Sequence, residues 1–275
     1  MAALLLLGFI LFHLLIKKPE RVGMPVMETR LEAVADAGHF TVKKLEGEAY
    51  YPDSPAWAYH FTYAYPSLEG ENYTAALIND TFDLALGETK DIALPMFAGN
   101  AKDGEKWEVN HDFSVLCNTD RLLSILTRQI WARADGLASR TLEAQTFNVF
   151  GDTAGDVMTL RGVALIQAGA DPKALDAVTA EALPDYPRIV AGSSDRMEEK
   201  LLPALYQQFL ELQSSGVIRQ DADRGDYEME FSPARDFYAL PDGRIAFFFP
   251  PALLSEPSFD VPTFAFTVEE IEGLL

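Results

Sequence analysis

The feature that most limits the fold is an alternation. From Trp107 to Leu165 the chain reads WEVNHDFSVLCNTDRLLSILTRQIWARADGLASRTLEAQTFNVFGDTAGDVMTLRGVAL. Apolar residues take every second place in Phe113, Val115 and Cys117. A second register runs through Leu122, Ser124, Leu126 and Arg128 before it breaks. A period of two places such side chains on one face of a strand. The breaks carry turn chemistry: Asn118-Thr119-Asp120, Ala134-Asp135-Gly136, and Gly151 through Asp156. The stretch is expected to form about three strands at the centre of an antiparallel sheet with one wet face.

The flanking segments extend this reading. His39 to Tyr50 and Trp57 to Tyr65 read as paired strands around the breaker-rich loop Tyr51-Pro52-Asp53-Ser54-Pro55. In the second of them, Tyr59, Phe61, Tyr63 and Tyr65 alternate with His60, Thr62 and Ala64, and aromatic residues suit a pleated sheet. Asn72 to Leu86 is expected to be a helix with a stripe of Leu77, Phe82 and Leu84 beside Ala76 and Ala85, stopped by Gly87. Pro25 to Ala37 reads as a short helix or a linker.

Asp171-Pro172 opens a further helix, with the acid as cap and the proline in the first turn, ending near Leu183. Asp195 to Leu212 is the longest helix, with Leu201, Leu205, Phe209 and Leu212 on one face. Asp221 to Asp226 reads as a solvated loop. Phe237 to Leu240, the turn Pro241-Asp242-Gly243 and Ile245 to Phe249 read as a hairpin stopped by Pro250-Pro251. Thr263 to Phe266 is a last strand and Val268 to Leu275 a short terminal helix. The expected fold class is α+β: antiparallel sheets packed with helices, in two related or consecutive halves, 39–165 and 166–275.

Residues Ala2 to Ile16 are apolar except for His13, and Lys17-Lys18-Pro19 follow. The run is short for a span of ~20 residues but fits a membrane-inserted leader. Segment 1–20 is expected to be a membrane anchor or signal-like segment, with the bulk of the protein extracytoplasmic. The net charge is −20, which repels phosphate backbones and sets nucleic acid aside as a partner. It would attract a basic protein, and it also serves solubility. The one cysteine, Cys117, excludes an intrachain disulfide and reads as a buried small hydrophobe.

No reactive constellation is legible. The four histidines, His13, His39, His60 and His111, lack metal-ligand spacing. Gly192-Ser193-Ser194 is not a Gly-x-Ser-x-Gly elbow and reads as the cap of the long helix. Cys117 has only His111, on the same strand, near it in sequence. Asp221, Asp223, Asp226 and Glu228 depart from the helix-loop-helix calcium pattern, because Gly225 precedes Asp226 and no twelfth-place glutamate follows. No catalytic residue, metal ligand or cofactor is therefore expected, and the chain is read as not an enzyme. Tyr50, Tyr51, Trp57, Tyr59 and Tyr63 are either a sheet core or a recognition platform. Tyr51, Trp57, Tyr59 and Tyr63 are the candidate ligand-binding residues.

The order of these pieces resembles the extracytoplasmic domain of RsiV-type anti-sigma factors and of PdaC-type peptidoglycan deacetylases. Roughly 39–130, an aromatic hairpin with a Tyr-Pro element, then a helix and strands, looks like the family's amino-terminal, PdaC-like half. FNVFGDTAGDVMTLRGV (147–163) matches the turn and Leu strand that precede the helical section. DFYALPDGRIAFFFPPALLSEPSFDVPTFAFTVEEIEGLL (236–275) is similar to the carboxyl-terminal, RsiV-like half. The chain departs from the family at Pro251-Ala252-Leu253, where a tyrosine is usual, and at Gly136-Leu137-Ala138-Ser139, where the glycine-rich turn lacks its histidine. The deacetylase catalytic domain has no counterpart in these residues. The resemblance implies a membrane-anchored domain of the cell envelope that binds or senses a ligand. A basic protein such as a lysozyme would be that ligand on the RsiV side, and a peptidoglycan-related one on the PdaC side. The rival expectations are a carboxylate-dependent cell-wall glycan hydrolase and a purely structural envelope protein.

Overall fold

The computed structural model describes residues 40–50, 57–70, 72–88, 91, 105–136, 138–151, 154–169, 194–256 and 258–274. The apolar run 1–20, segment 25–37, the loop 51–55 and the helix expected at 171–183 lie outside them. Among the described residues the protein is α+β, with a five-stranded and a three-stranded sheet. No helix among them is long and apolar enough to cross a membrane.

The larger sheet has the order β1 (Phe40–Tyr50), β2 (Trp57–Leu68), β3 (Trp107–Asn118), β4 (Leu122–Arg133), β5 (Ala138–Asn148). The expected hairpin is present, with β1 antiparallel to β2 and Gly47 opposite Phe61. A Cβ at Gly47 would come within 2.6 Å of the Phe61 ring, so the aromatic side chain can lie across β1 only where no side chain stands. β2 runs through Pro66. Its pairing with β3 covers Tyr59 to Tyr63, so the missing N–H falls beyond that ladder.

The β2–β3 pair is parallel, the exception to the antiparallel expectation. Parallel neighbours need a crossover, and helix α1 (Tyr73–Glu88) lies within it. Asn72 Oδ1 caps α1 by accepting from the Ala75 amide at 2.8 Å. Asn79 ties α1 to the end of β2: its Oδ1 accepts from Leu68 N at 2.8 Å and its Nδ2 donates to Leu68 O at 3.1 Å. The buried face is Ala75, Ile78 and Phe82. The expected stripe is corrected: Leu84 is 66% exposed, Ala76 and Ala85 are exposed, and only Phe82 of that set is buried. The helix lies one step round its axis from the face that the leucines alone would choose.

The three strands expected from the alternation are β3, β4 and β5. β3 and β4 are joined at one end by Thr119 N donating to Leu122 O (2.9 Å) and at the other by Ala134 N donating to Lys106 O (3.3 Å). β4 and β5 are linked by Val149 N to Arg121 O (2.9 Å), by the Ser124 and Thr146 hydroxyls (2.8 Å) and by Thr127 Oγ1 to Glu143 O (3.1 Å). Both pairs are antiparallel. Gly136 turns the second hairpin at φ 92°, a conformation costly for other residues. One wet face does not hold throughout: Leu122, Leu123, Ser124 and Ile125 are all buried, so that end of β4 is covered on both sides.

By internal contacts the chain forms two compact units. One is residues 1–113 with 129–139, and the other is 114–128 with 140–275. In the first, Tyr59 stacks on Trp107 (6.4 Å between centroids) and meets Trp131 edge-on (6.0 Å). The second contains α2 (Leu160–Gln167), α3 (Ser194–Ser214), α4 (Arg224–Glu230), and β6 (Phe237–Ala239), β7 (Ile245–Phe248) and β8 (Thr263–Phe266), followed by α5 (Val268–Leu274). Its core gathers Leu160, Val163, Leu201, Leu205, Phe209 and Phe249 with Cys117 and Leu122.

Two expectations fail in part in this unit, each for a physical reason. The Leu strand that the resemblance implies within 147–163 is not formed at its end, where Leu160 begins helix α2. Thr159 caps it, its hydroxyl accepting from Gly162 N at 3.2 Å, and six of its eight residues are buried. A helix enclosed nearly all round loses its periodic signal and reads as a short apolar run. The solvated loop expected at 221–226 holds for Asp221 to Asp223, while Arg224 to Asp226 form the first turn of α4. Asp223 and Asp226 form a reciprocal capping box, so these acids serve the helix start.

The long helix meets expectation: Leu201, Leu205 and Phe209 are fully buried and Leu212 packs beside them. The terminal hairpin does too, with β6 antiparallel to β7 and Gly243 at φ 88° in its turn. β8 pairs antiparallel with β7, Phe264 opposite Phe247.

Candidate functional site

The alternation that made an aromatic platform legible also decides where those rings go. Tyr59 and Tyr63 point to the buried face of β2, exposed by only 1% and 3%. Burial pushes the Tyr63 phenol well above its ordinary value, while Gln129 Nε2 donates to its oxygen at 3.4 Å. These two tyrosines belong to the core. Tyr51 and the side chain of Trp57 lie outside the described residues.

His111, opposite Tyr63 in the register, stacks on its ring at 5.4 Å between centroids. Its Nδ1 donates to the Ala64 carbonyl at 3.0 Å. Burial lowers its pKa, so it stays a neutral imidazole with one nitrogen committed. His60 lies on the opposite face, 2.8 Å from Glu108 and partly exposed, as expected of a solvent-side residue. Cys117 is 1% exposed, and burial raises its thiol to about 11. That value leaves almost no thiolate near neutrality. His111 and Cys117 share a strand and each is spent on packing.

The hydroxyl of Ser124 is likewise committed. It is fully buried, pairs with Thr146 Oγ1 at 2.8 Å and accepts from Ala239 N at 3.1 Å. Through that bond β4 holds β6. Of the four acids set against the calcium pattern, Asp221, Asp223 and Asp226 are divided among the capping box and Arg219, whose guanidinium lies 3.6 Å from Asp221 and 3.7 Å from Asp226, and Glu228 pairs with Arg224.

One charged cluster was not legible in sequence. It gathers Glu230 from the end of α4, Arg235 and Asp236 from the segment leading into β6, and Glu143 from β5. Glu230 and Asp236 are 1% and 2% exposed. Arg235 grips Asp236 with two bonds of 2.7 Å, from Nε to Oδ1 and from Nη2 to Oδ2, and Nη2 also donates to the Glu230 carbonyl. The Ser232 amide adds a bond of 2.9 Å to Asp236 Oδ2. Charge-assisted, bidentate bonds of this kind are the strong ones. Burial raises the Glu143 pKa; the Arg235 charge and the Gln145 side chain oppose that, and the Asp236 charge adds to it. Chemically, Asp236 has both carboxyl oxygens bonded, which suits neither a nucleophile nor a base in a glycan cleft. The only sequence signal was an acid, Glu143, inside a strand pattern, and acids are too common in this chain for that to stand out.

Comparison with known proteins adds little to this geometry. No protein-family model matches the chain, and no curated protein matches it. Among solved structures it is similar to the crystal structure of a DUF3298 family member from Bacteroides fragilis. The TM-score is 0.43 and the identity 13%, over 85% of this chain and 91% of that one. A score below 0.5 does not establish a shared fold.

Proposed function

We propose that the chain is a non-enzymatic binding or sensing domain of the cell envelope, anchored through 1–20 with the remainder extracytoplasmic. Its proposed ligand is a basic protein of the lysozyme kind, with a peptidoglycan-related ligand as the alternative. The observation that carries this reading is the net charge of −20, which steers a cationic partner in and weakens with salt. The state of Cys117, Ser124, His111 and Asp236 supports it as well, since the first two and Asp236 are buried, His111 is half-buried, and each is committed to a neighbour. Tyr51 and Trp57, at either end of the β1–β2 connection, are the proposed contacts.

The test is calorimetric titration of the full chain with lysozyme at low and at high ionic strength. Binding at low salt that weakens by at least about tenfold at high salt is expected. No measurable binding at low salt removes the basic-protein version, and titration with soluble peptidoglycan fragments then decides the alternative. Release of new reducing ends from peptidoglycan would overturn the non-enzymatic reading. A reporter fused after Leu275 checks orientation: it should register outside the cytoplasm, and activity of a cytoplasm-only reporter there contradicts the anchor.

A further inference from the structure

We propose that the outer edge of β5, from Arg140 to Ala144, takes an added antiparallel strand, and that this strand is an extended peptide carrying a carboxylate opposite Arg140. β5 ends the large sheet, with β4 as its one neighbour in strand order among the described residues. A strand turns its backbone N–H and C=O groups to alternate sides at successive residues, so every second residue faces a given neighbour. Val149 sets the phase, its N–H donating to Arg121 O, just ahead of β4, at 2.9 Å. Ser124 bonds Thr146 and Thr127 bonds Glu143 in the same register, so no bulge shifts the phase between them. Arg140, Leu142 and Ala144 therefore turn their backbone groups away from β4. Among the described residues no backbone bond reaches those groups.

The same edge already holds a short extended segment at its far end. Residues 155–158 lie along it: Gly155 N donates to Asn148 O at 2.7 Å, Asn148 N to Asp156 O at 3.0 Å, and Met158 N to Thr146 O at 2.7 Å. Phe147 and Val157 form an antiparallel bridge there. These bonds use the outward groups of Thr146 and Asn148, which agrees with the phase. The edge is thus competent to accept a strand, and its unpaired stretch begins one step on, at Ala144. A row of unpaired backbone groups of this kind is a template for strand addition.

Arg140 sets the chemistry of the incoming strand. Its Nη1 is buried, and among the described residues no acceptor hydrogen-bonds it. A buried donor without an acceptor is costly. A charge that merely blunts an edge keeps its head in water, and this nitrogen is not in water. In an added antiparallel strand the residue opposite Arg140 stands about 5.5 Å away between Cα atoms. A carboxylate side chain there reaches the guanidinium, and that pairing is among the strong ones. A second copy of this chain fits less well. Two β5 edges laid antiparallel about Leu142 or Thr141 would set Arg140 against Ala144 or Leu142, and neither side chain offers an acceptor. The edge is open whether or not the chain binds a basic protein.

The probe is a short synthetic peptide of alternating threonine and valine whose central valine is replaced by glutamate. It is added to the full chain while amide exchange is followed residue by residue. At a free concentration about ten times its dissociation constant, protection of Arg140, Leu142 and Ala144 should rise about tenfold, and that of β6 to β8 should not. Methylating the peptide's valine and glutamate nitrogens removes the donors that face the edge and should abolish binding. Methylating its threonine nitrogens should leave binding in place. Exchanging the glutamate for lysine should weaken binding by at least about tenfold, and in an Arg140→Met chain the two peptides should bind alike. No added protection at those amides, or binding indifferent to which nitrogens are methylated, overturns strand addition. Equal binding of the glutamate and lysine peptides by the unaltered chain overturns the acidic ligand, and that comparison decides even if Arg140→Met fails to fold.

Discussion

The two sheets solve the same burial problem in opposite ways. Strands β1 to β5 are long, each of 11 or 12 residues, and much of the length of β3, β4 and β5 is only partly buried. Strands β6 to β8 have three or four residues each, and β7 is buried at every position. A long strand spreads its stability over many cross-strand pairs. A short one must draw it from what packs on its faces. Here that packing is aromatic: Phe249 meets Phe209, Tyr227, Phe231 and Phe264 with centroids 5.0 to 6.2 Å apart. Stability in the small sheet is therefore concentrated in a few rings, whereas in the large sheet it is distributed.

Substitutions can break or sharpen that contrast. The largest effect is expected at the ring cluster: Phe249→Ala should cost about 3–5 kcal/mol, measured by denaturant unfolding. A loss below about 1 kcal/mol would mean that the small sheet does not depend on its rings. Gly47→Ala in the large sheet should cost about 1–3 kcal/mol, because the new methyl group meets the Phe61 ring. If it costs as much as the Phe249 change, the large sheet is no more distributed than the small one.

Ser124→Ala leaves the Ala239 amide without its side-chain acceptor. It should lose about 1–3 kcal/mol, with the loss of amide protection centred on β6. Protection lost equally throughout would show that the hydroxyl does not specifically hold β6. Asp223→Ala removes one half of the α4 capping box and should cost about 1 kcal/mol. A loss above about 3 kcal/mol would place α4 among the concentrated elements.

The same contrast explains what could be read from the sequence. The long strands announced themselves because period two survives wherever one face is wetter than the other. The small sheet was legible by punctuation, Pro241-Asp242-Gly243 and Pro250-Pro251, not by period. Helix α2 misled because Leu160 to Ile166 is enclosed and carries no polar stripe. The parallel β2–β3 pair was not legible either, since alternation says which face a residue takes and not which strand lies beside it. Of the site, the interior place of Cys117 could be read. The grip of Arg235 on Asp236 and its link to Glu143 could not, because β5 and the α4–β6 segment come together only in the folded chain.

That parallel pair also shapes how the molecule is assembled. His60 and Glu108 stand opposite each other, 48 residues apart in the chain, whereas β3, β4 and β5 are joined by tight turns. Closing the long loop carries an entropic cost before any contact rewards it, and short hairpins do not face that delay. The β3–β4–β5 meander is thus expected to condense early and to serve as the template on which the β1–β2 hairpin arrives last.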